Sequence, residues 1–94
     1  MARMTHAIVL IRAERSALAT VGSELADIDG IAQVYSVTGD WDFVAIIRLR
    51  DLDQLQQVMT GKVAVLEGIA KTHTMVAFEA YSRHDMEAFF SLGQ

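Results

Sequence analysis

Cysteine and proline are both absent from these 94 residues. Without cysteine there is no disulfide framework, no thiolate nucleophile and no thiolate metal site, and a reducing compartment suits the chain. Without proline no position is barred from a strand ladder or a helix interior, which is compatible with elements packed continuously. Basic residues are few: Lys and Arg number 8 against 12 Asp and Glu, for a net charge of −4. They are scattered and form no stripe, so the phosphate neutralisation that nucleic acid demands is missing and direct binding of nucleic acid is not expected. Long apolar runs are missing too. The run at residues 7–11 is too short for a signal core and is closed by Arg12, and nothing approaches the roughly 20 apolar residues of a membrane span. A soluble, cytoplasmic protein is expected. His6, His73 and His84 are the only imidazoles and stand in no ligand-spaced pair, so neither a metal nor a cofactor is expected.

What is present is a core. Apolar residues make up 52% and charged ones 21%, a globular balance that argues against disorder. The length suits a single domain spanning residues 1–94, with its core at 6–81 and a short terminal helix at 83–92.

The element order follows from periodicity. Residues 6–11 read as a strand buried on both faces, and Ser16 is placed to cap a helix carrying Leu18, Val21, Leu25 and Ile28 inward, with Gly30 to stop it. Residues 31–37 and 43–49 form two strands of a hairpin hinged on Thr38, Gly39, Asp40, Trp41 and Asp42. Asp51 and Gln54 form a capping box for a second helix whose inward positions are Leu52, Leu55, Met59, Val63 and Leu66, with Gly61 as a point of bending. Residues 69–81 read as a long last strand, and Ser82 with Asp85 caps the terminal helix, whose stripe is Met86, Phe89 and Phe90. The predicted fold is α+β, a ferredoxin-like β-α-β-β-α-β with a four-stranded antiparallel sheet and both helices on one face.

The other face is then bare, yet the strand sequences at 8–11, 43–47 and 75–78 do not alternate apolar with polar. So large an apolar surface exceeds what soluble monomers tolerate. Covering about 600 Å² per subunit contributes on the order of 15 kcal/mol before association costs. A homodimer with sheets face to face, a dimeric α/β barrel, is the expected remedy.

The hinge concentrates the chemistry. A tight turn needs a residue that accepts positive φ, which Gly39 supplies, and Thr38, Asp40 and Asp42 carry oxygens that fold back onto the turn's amides. The same groups suit a small zwitterion: Thr38 and the amides near Asp40 and Trp41 donate to a carboxylate, while Asp40 or Asp42 accepts from an ammonium. Trp41 either walls such a pocket, fills a subunit contact or packs on its own sheet. Thr72 and Thr74 share one side of the last strand and can meet the hairpin of a neighbouring subunit, although Thr is also simply a good strand residue. The charges in Arg12 to Arg15 and Arg48 to Asp51 read as solvated strand ends.

The run Val37-Thr38-Gly39-Asp40-Trp41-Asp42-Phe43, followed by an apolar strand, then Leu66-Glu67-Gly68-Ile69 and Thr72-His73-Thr74, resembles the effector-binding RAM domain of the Lrp/AsnC (feast/famine) transcriptional regulators. The resemblance covers about residues 6–80. It implies an α/β-sandwich dimer, further assembly of dimers up to an octamer, and an amino-acid effector held between dimers near the glycine-aspartate loop. Such regulators normally carry a helix-turn-helix domain ahead of this one, and only five residues precede the first strand, so a stand-alone RAM domain is expected. The expected function is amino-acid sensing as an accessory of transcription regulation, with no catalytic residue and no direct DNA contact. Two alternatives stand beside it. One is a cofactor-independent monooxygenase or isomerase on the same scaffold, which needs a polar pocket between sheet and helices. The other is an architectural partner of full-length Lrp/AsnC regulators.

Overall fold

A computed structural model describes residues 4–79 and 81 of the chain. Strand β1 spans Thr5–Ala13 and is followed by a 3-10 turn, Arg15–Ala17. Helix α1 covers Val21–Ala26, β2 Ile31–Ser36, β3 Phe43–Leu49, α2 Leu52–Val58 and β4 Ile69–Ala77. The strands form one antiparallel sheet in the order β2-β3-β1-β4. This is the expected ferredoxin-like α+β arrangement, and the terminal helix expected at 83–92 lies outside the described residues.

Side-chain parity on the strands divides the sheet. Ala7, Val9, Ile11 and Ala13 of β1, with Phe43, Ala45 and Ile47 of β3, point at the helices and are buried. Register pairs Val9 with Ala45, Ile11 with Phe43 and Ala7 with Ile47, so these rows interlock across the two central strands. An irregularity between Ile31 and Gln33 lets both Ile31 and Val34 turn inward although they are three residues apart. From above, Val21 and Leu25 of α1 and Leu55 and Val58 of α2 close the core.

Five local expectations need correction. Ser16 does not cap α1; it sits inside the 3-10 turn, and the helix begins only at Val21, behind Thr20. The hydroxyls explain the delay, since Thr20 donates to the Ala17 carbonyl at 3.4 Å and Ser23 to the Thr20 carbonyl at 3.0 Å, local bonds that compete with the helical ladder. Leu18 is consequently exposed instead of inward.

The second helix changes its winding at Met59–Val63, a π-turn closed by the Ala64 amide donating to the Met59 carbonyl at 2.9 Å. This widened turn sets Val58 and Val63, five residues apart, on the same buried face, which a 3.6-residue period does not do. Leu52, expected inside, is 59% exposed and Val58 takes the inward role.

β4 ends at Ala77, short of residue 81, and its last pairing with β1 is Ala77 opposite His6. And β1 is not buried on both sides within one copy, since Ile8 is 36% exposed and Leu10 only half-buried.

The capping box at α2 is real but extended by one residue. Asp51 accepts from the Gln54 amide at 2.9 Å, while the Gln54 side-chain oxygen accepts from the amide of Arg50, not Asp51. Asp51→Ala is expected to cost about 1 kcal/mol of folding stability, read as a shift in denaturation midpoint at unchanged slope.

Candidate functional site

The hairpin between β2 and β3 is tied to the end of β1 rather than standing free. The Val37 amide donates to the Asp42 carbonyl at 3.0 Å, closing the loop, and the Asp42 amide donates to the Ile11 carbonyl at 2.9 Å. The Asp42 carboxylate accepts from the Ala13 amide at 2.8 Å, at the place where β1 changes register between Arg12 and Ala13. That side chain therefore satisfies an amide that the irregular ladder leaves open. Arg12 completes the clamp, donating through Nε and Nη2 to the Asp40 carbonyl at 3.1 and 2.7 Å.

Gly39 has φ +106 and open space where a Cβ would stand, so its backbone can be approached closely. Thr38, Gly39 and Asp40 are exposed; Trp41 and Asp42 are half-buried. Trp41 lies over the sheet face that carries no helix. The Arg12 guanidinium is 5.3 Å and the Lys71 ammonium 5.8 Å from its ring centroid, both within cation–π range, and the His73 ring lies 6.3 Å away at 45°.

The five hinge residues thus form one corner, but Thr72 and Thr74 do not join it from within the same copy. Their register partners are Ile11 and Val9, which face the helices, so the two hydroxyls stand on the helix side of β4 while Trp41 covers the opposite side. The residues that sequence reasoning missed are Arg12, Lys71 and His73, the first of them read as a solvated strand end. Parity along β4 sets Lys71 and His73 opposite in facing to Thr72 and Thr74, a signal available once the register with β1 is known.

The uncovered face continues from this corner. Met75, Ile8 and Ile46 form one row across β4, β1 and β3, and His73, Leu10, Val44 and Tyr35 the next. Just beyond β4, Phe78 is 97% exposed. Between sheet and helices, by contrast, no polar or charged side chain is buried among the described residues. A cleft of about 370 Å³ opens elsewhere, by the 3-10 turn, lined by Glu14, Thr20, Glu24 and Glu67 among others. Among the described residues no group of three or more His, Asp or Glu is placed to hold a metal, and no helix is long and apolar enough to cross a membrane.

Sheet order and helix placement define a ferredoxin-like α+β domain with a clamped glycine-aspartate hairpin at one corner of its sheet. The model of the Lrp/AsnC ligand binding domain family matches residues 6–87, and the chain belongs to that family. Over 75 residues it is 32% identical to the HTH-type transcriptional regulator FL11 of Pyrococcus furiosus, covering 80% of this chain and 49% of that protein. The chain therefore spans about half the length of the curated relatives it matches. Among solved structures it is similar to TTHA0845 from Thermus thermophilus, with TM-score 0.79 and 42% identity over 84% of this chain and 99% of that one. The fold is also that of the transcriptional regulator NMB0573 from Neisseria meningitidis, solved as an L-Met complex, with TM-score 0.76 and 9% identity over 84% of this chain and 53% of that one.

Proposed function

We propose that this chain is an oligomeric amino-acid sensor that serves transcription regulation without itself holding DNA. Two copies bury their helix-free sheet faces against each other, and an amino acid lodges at a subunit boundary beside Thr38, Gly39, Asp40, Trp41 and Asp42. Exposed amides around Gly39 receive the α-carboxylate, and the Asp40 carboxylate, which has no hydrogen-bonding partner among the described residues, receives the α-ammonium. Thr72 and Thr74, on the other side of the β4 edge, reach the hairpin of a neighbouring copy in a higher assembly of dimers.

The observation that carries this reading is the clamped hairpin. Arg12 and Asp42 fix a glycine-bearing loop in place, so its open amides are preorganised and little ordering entropy is lost on binding. The family's own description as a ligand binding domain, and the L-Met complex of the structurally similar Neisseria regulator, supply the class of ligand. The apolar filling between sheet and helices speaks against the monooxygenase or isomerase alternative, which needs polar groups converging there.

Ligand binding at a boundary between copies shifts assembly by its differential affinity for the two arrangements. Contact with full-length Lrp/AsnC regulators through the same sheet face would pass that shift to a DNA-bound partner. Isothermal titration against all twenty amino acids is expected to give saturable heat for at least one, with a concurrent change in sedimentation; heat for none overturns amino-acid sensing.

A further inference from the structure

Register sets Arg12 of β1 directly opposite Lys71 of β4. Like charges facing each other across an antiparallel pair repel. Both also lean on one indole, at 5.3 and 5.8 Å, so they share an aromatic surface instead of separating into solvent. Neither forms an ion pair with a carboxylate of the described residues. Arg12 spends two donors on the Asp40 carbonyl, a neutral acceptor that fixes the guanidinium without cancelling its charge. Of the two hairpin carboxylates, that of Asp42 is turned to the Ala13 amide, while Asp40 meets Arg12 through its backbone carbonyl and not through its side chain. His73, one row inward on the same face, adds a third nitrogen-bearing group beside Trp41. In a chain with 12 acidic residues against 8 basic ones, two opposed and unneutralised cations at the sheet corner are a local cost that an anion from outside would remove.

The geometry points to a carboxylate subsite formed by Arg12, Lys71 and His73 around Trp41, which makes the effector a small dicarboxylate: an acidic amino acid or a compound of the same charge and size. This rests on the sensing reading above, in which the hairpin amides already accommodate one carboxylate. The cation corner takes the second. The Lys71 ammonium presents three donors, Arg12 keeps those not used on Asp40, and the indole plate shields the ion pairs from water. A neutral side chain at this place would leave both cations unanswered, so discrimination arises from the cost of the wrong ligand as well as from attraction of the right one.

Trp41 is the single tryptophan, which makes its emission a direct reporter of this corner. The protein, in its assembled state, is titrated with aspartate, glutamate, asparagine, glutamine and leucine, followed by Trp41 fluorescence and by calorimetry. Aspartate or glutamate is expected to change the emission saturably and to bind at least tenfold more tightly than its own amide. Lys71→Gln is expected to bring the acid-to-amide ratio to near one, and Trp41→Phe to abolish the optical signal while heat remains measurable. Equal or tighter binding of the amides or leucine overturns the dicarboxylate assignment and leaves amino-acid sensing intact. A Lys71→Gln variant whose assembly mass changes while its acid-to-amide ratio does not also overturns it, because the cations then serve a contact between copies. Absence of heat for every ligand overturns both readings.

Discussion

Ile8→Glu is expected to sediment as a 10.4 kDa particle at micromolar concentration, where the unaltered protein sediments at no less than twice that mass. Ile8 sits at the centre of the helix-free face, between Ile46 on β3 and Met75 on β4. It is already 36% exposed in a single copy, so a carboxylate there stays hydrated and the fold of the lone chain is little affected. In a face-to-face pair the same carboxylate is taken out of water without a partner. Each copy contributes one such group, a penalty of several kcal/mol in the pair. Association is expected to weaken by more than about a thousandfold, read by analytical ultracentrifugation, with the far-ultraviolet circular dichroism unchanged. A 10.4 kDa particle for the unaltered protein at the same concentration would remove the basis of the open-face pairing.

That expectation draws on what the sequence already displayed and on what only register supplies. The non-alternating strands at 8–11 and 43–47 announced two apolar faces, and the strand β3 boundaries, the Gly39 turn and the Asp51 cap followed from local chemistry. Local chemistry also misled. Ser16 has the type of an N-cap residue, but Thr20 and Ser23 divert the backbone downstream of it, and no pattern at single-residue level ranks one hydroxyl above another. Counting in threes and fours places Leu55, Met59, Val63 and Leu66 against the core as found, but it misses the π-turn at Met59–Val63 that brings Val58 onto the same face, and it puts Leu52, the first residue of the helix, inside when it is exposed. At the corner the gap is larger. Arg12, Trp41 and Lys71 come from three distant stretches, and only the order β2-β3-β1-β4 with its pairing of Arg12 to Lys71 brings them together. The hinge residues were evident because they are contiguous; the cations that surround the indole were not, because nothing in their own neighbourhoods distinguishes them from solvated strand ends.

Gly68→Ala is expected to lower folding stability by about 3 kcal/mol, the sum of a backbone term and a steric one. Gly68 has φ +92, a conformation that costs an L-residue about 1–2 kcal/mol. An added Cβ would stand 2.2 Å from the Ala17 Cβ and 3.5 Å from the Val21 side chain. Nor can the segment move aside, since the Gly68 carbonyl accepts from the Glu14 amide at 2.7 Å and the chain enters β4 at the next residue. For a domain of this size 3 kcal/mol lowers the melting temperature by roughly 10–25 °C, measured at fixed protein concentration because assembly contributes. Gly39 provides the contrast. Its φ of +106 is as unfavourable, yet nothing lies within 4 Å of its would-be Cβ, so the turn carries the backbone term alone. The steric part at Gly68 belongs to one neighbour and is therefore separable. Removing the Ala17 methyl in the double variant Ala17→Gly, Gly68→Ala is expected to return about half the lost stability, a coupling that two independent sites would not display. If Gly68→Ala alone unfolds within about 1 kcal/mol of the unaltered protein, the close approach of the 3-10 turn to the start of β4 is not what holds this end of the sheet.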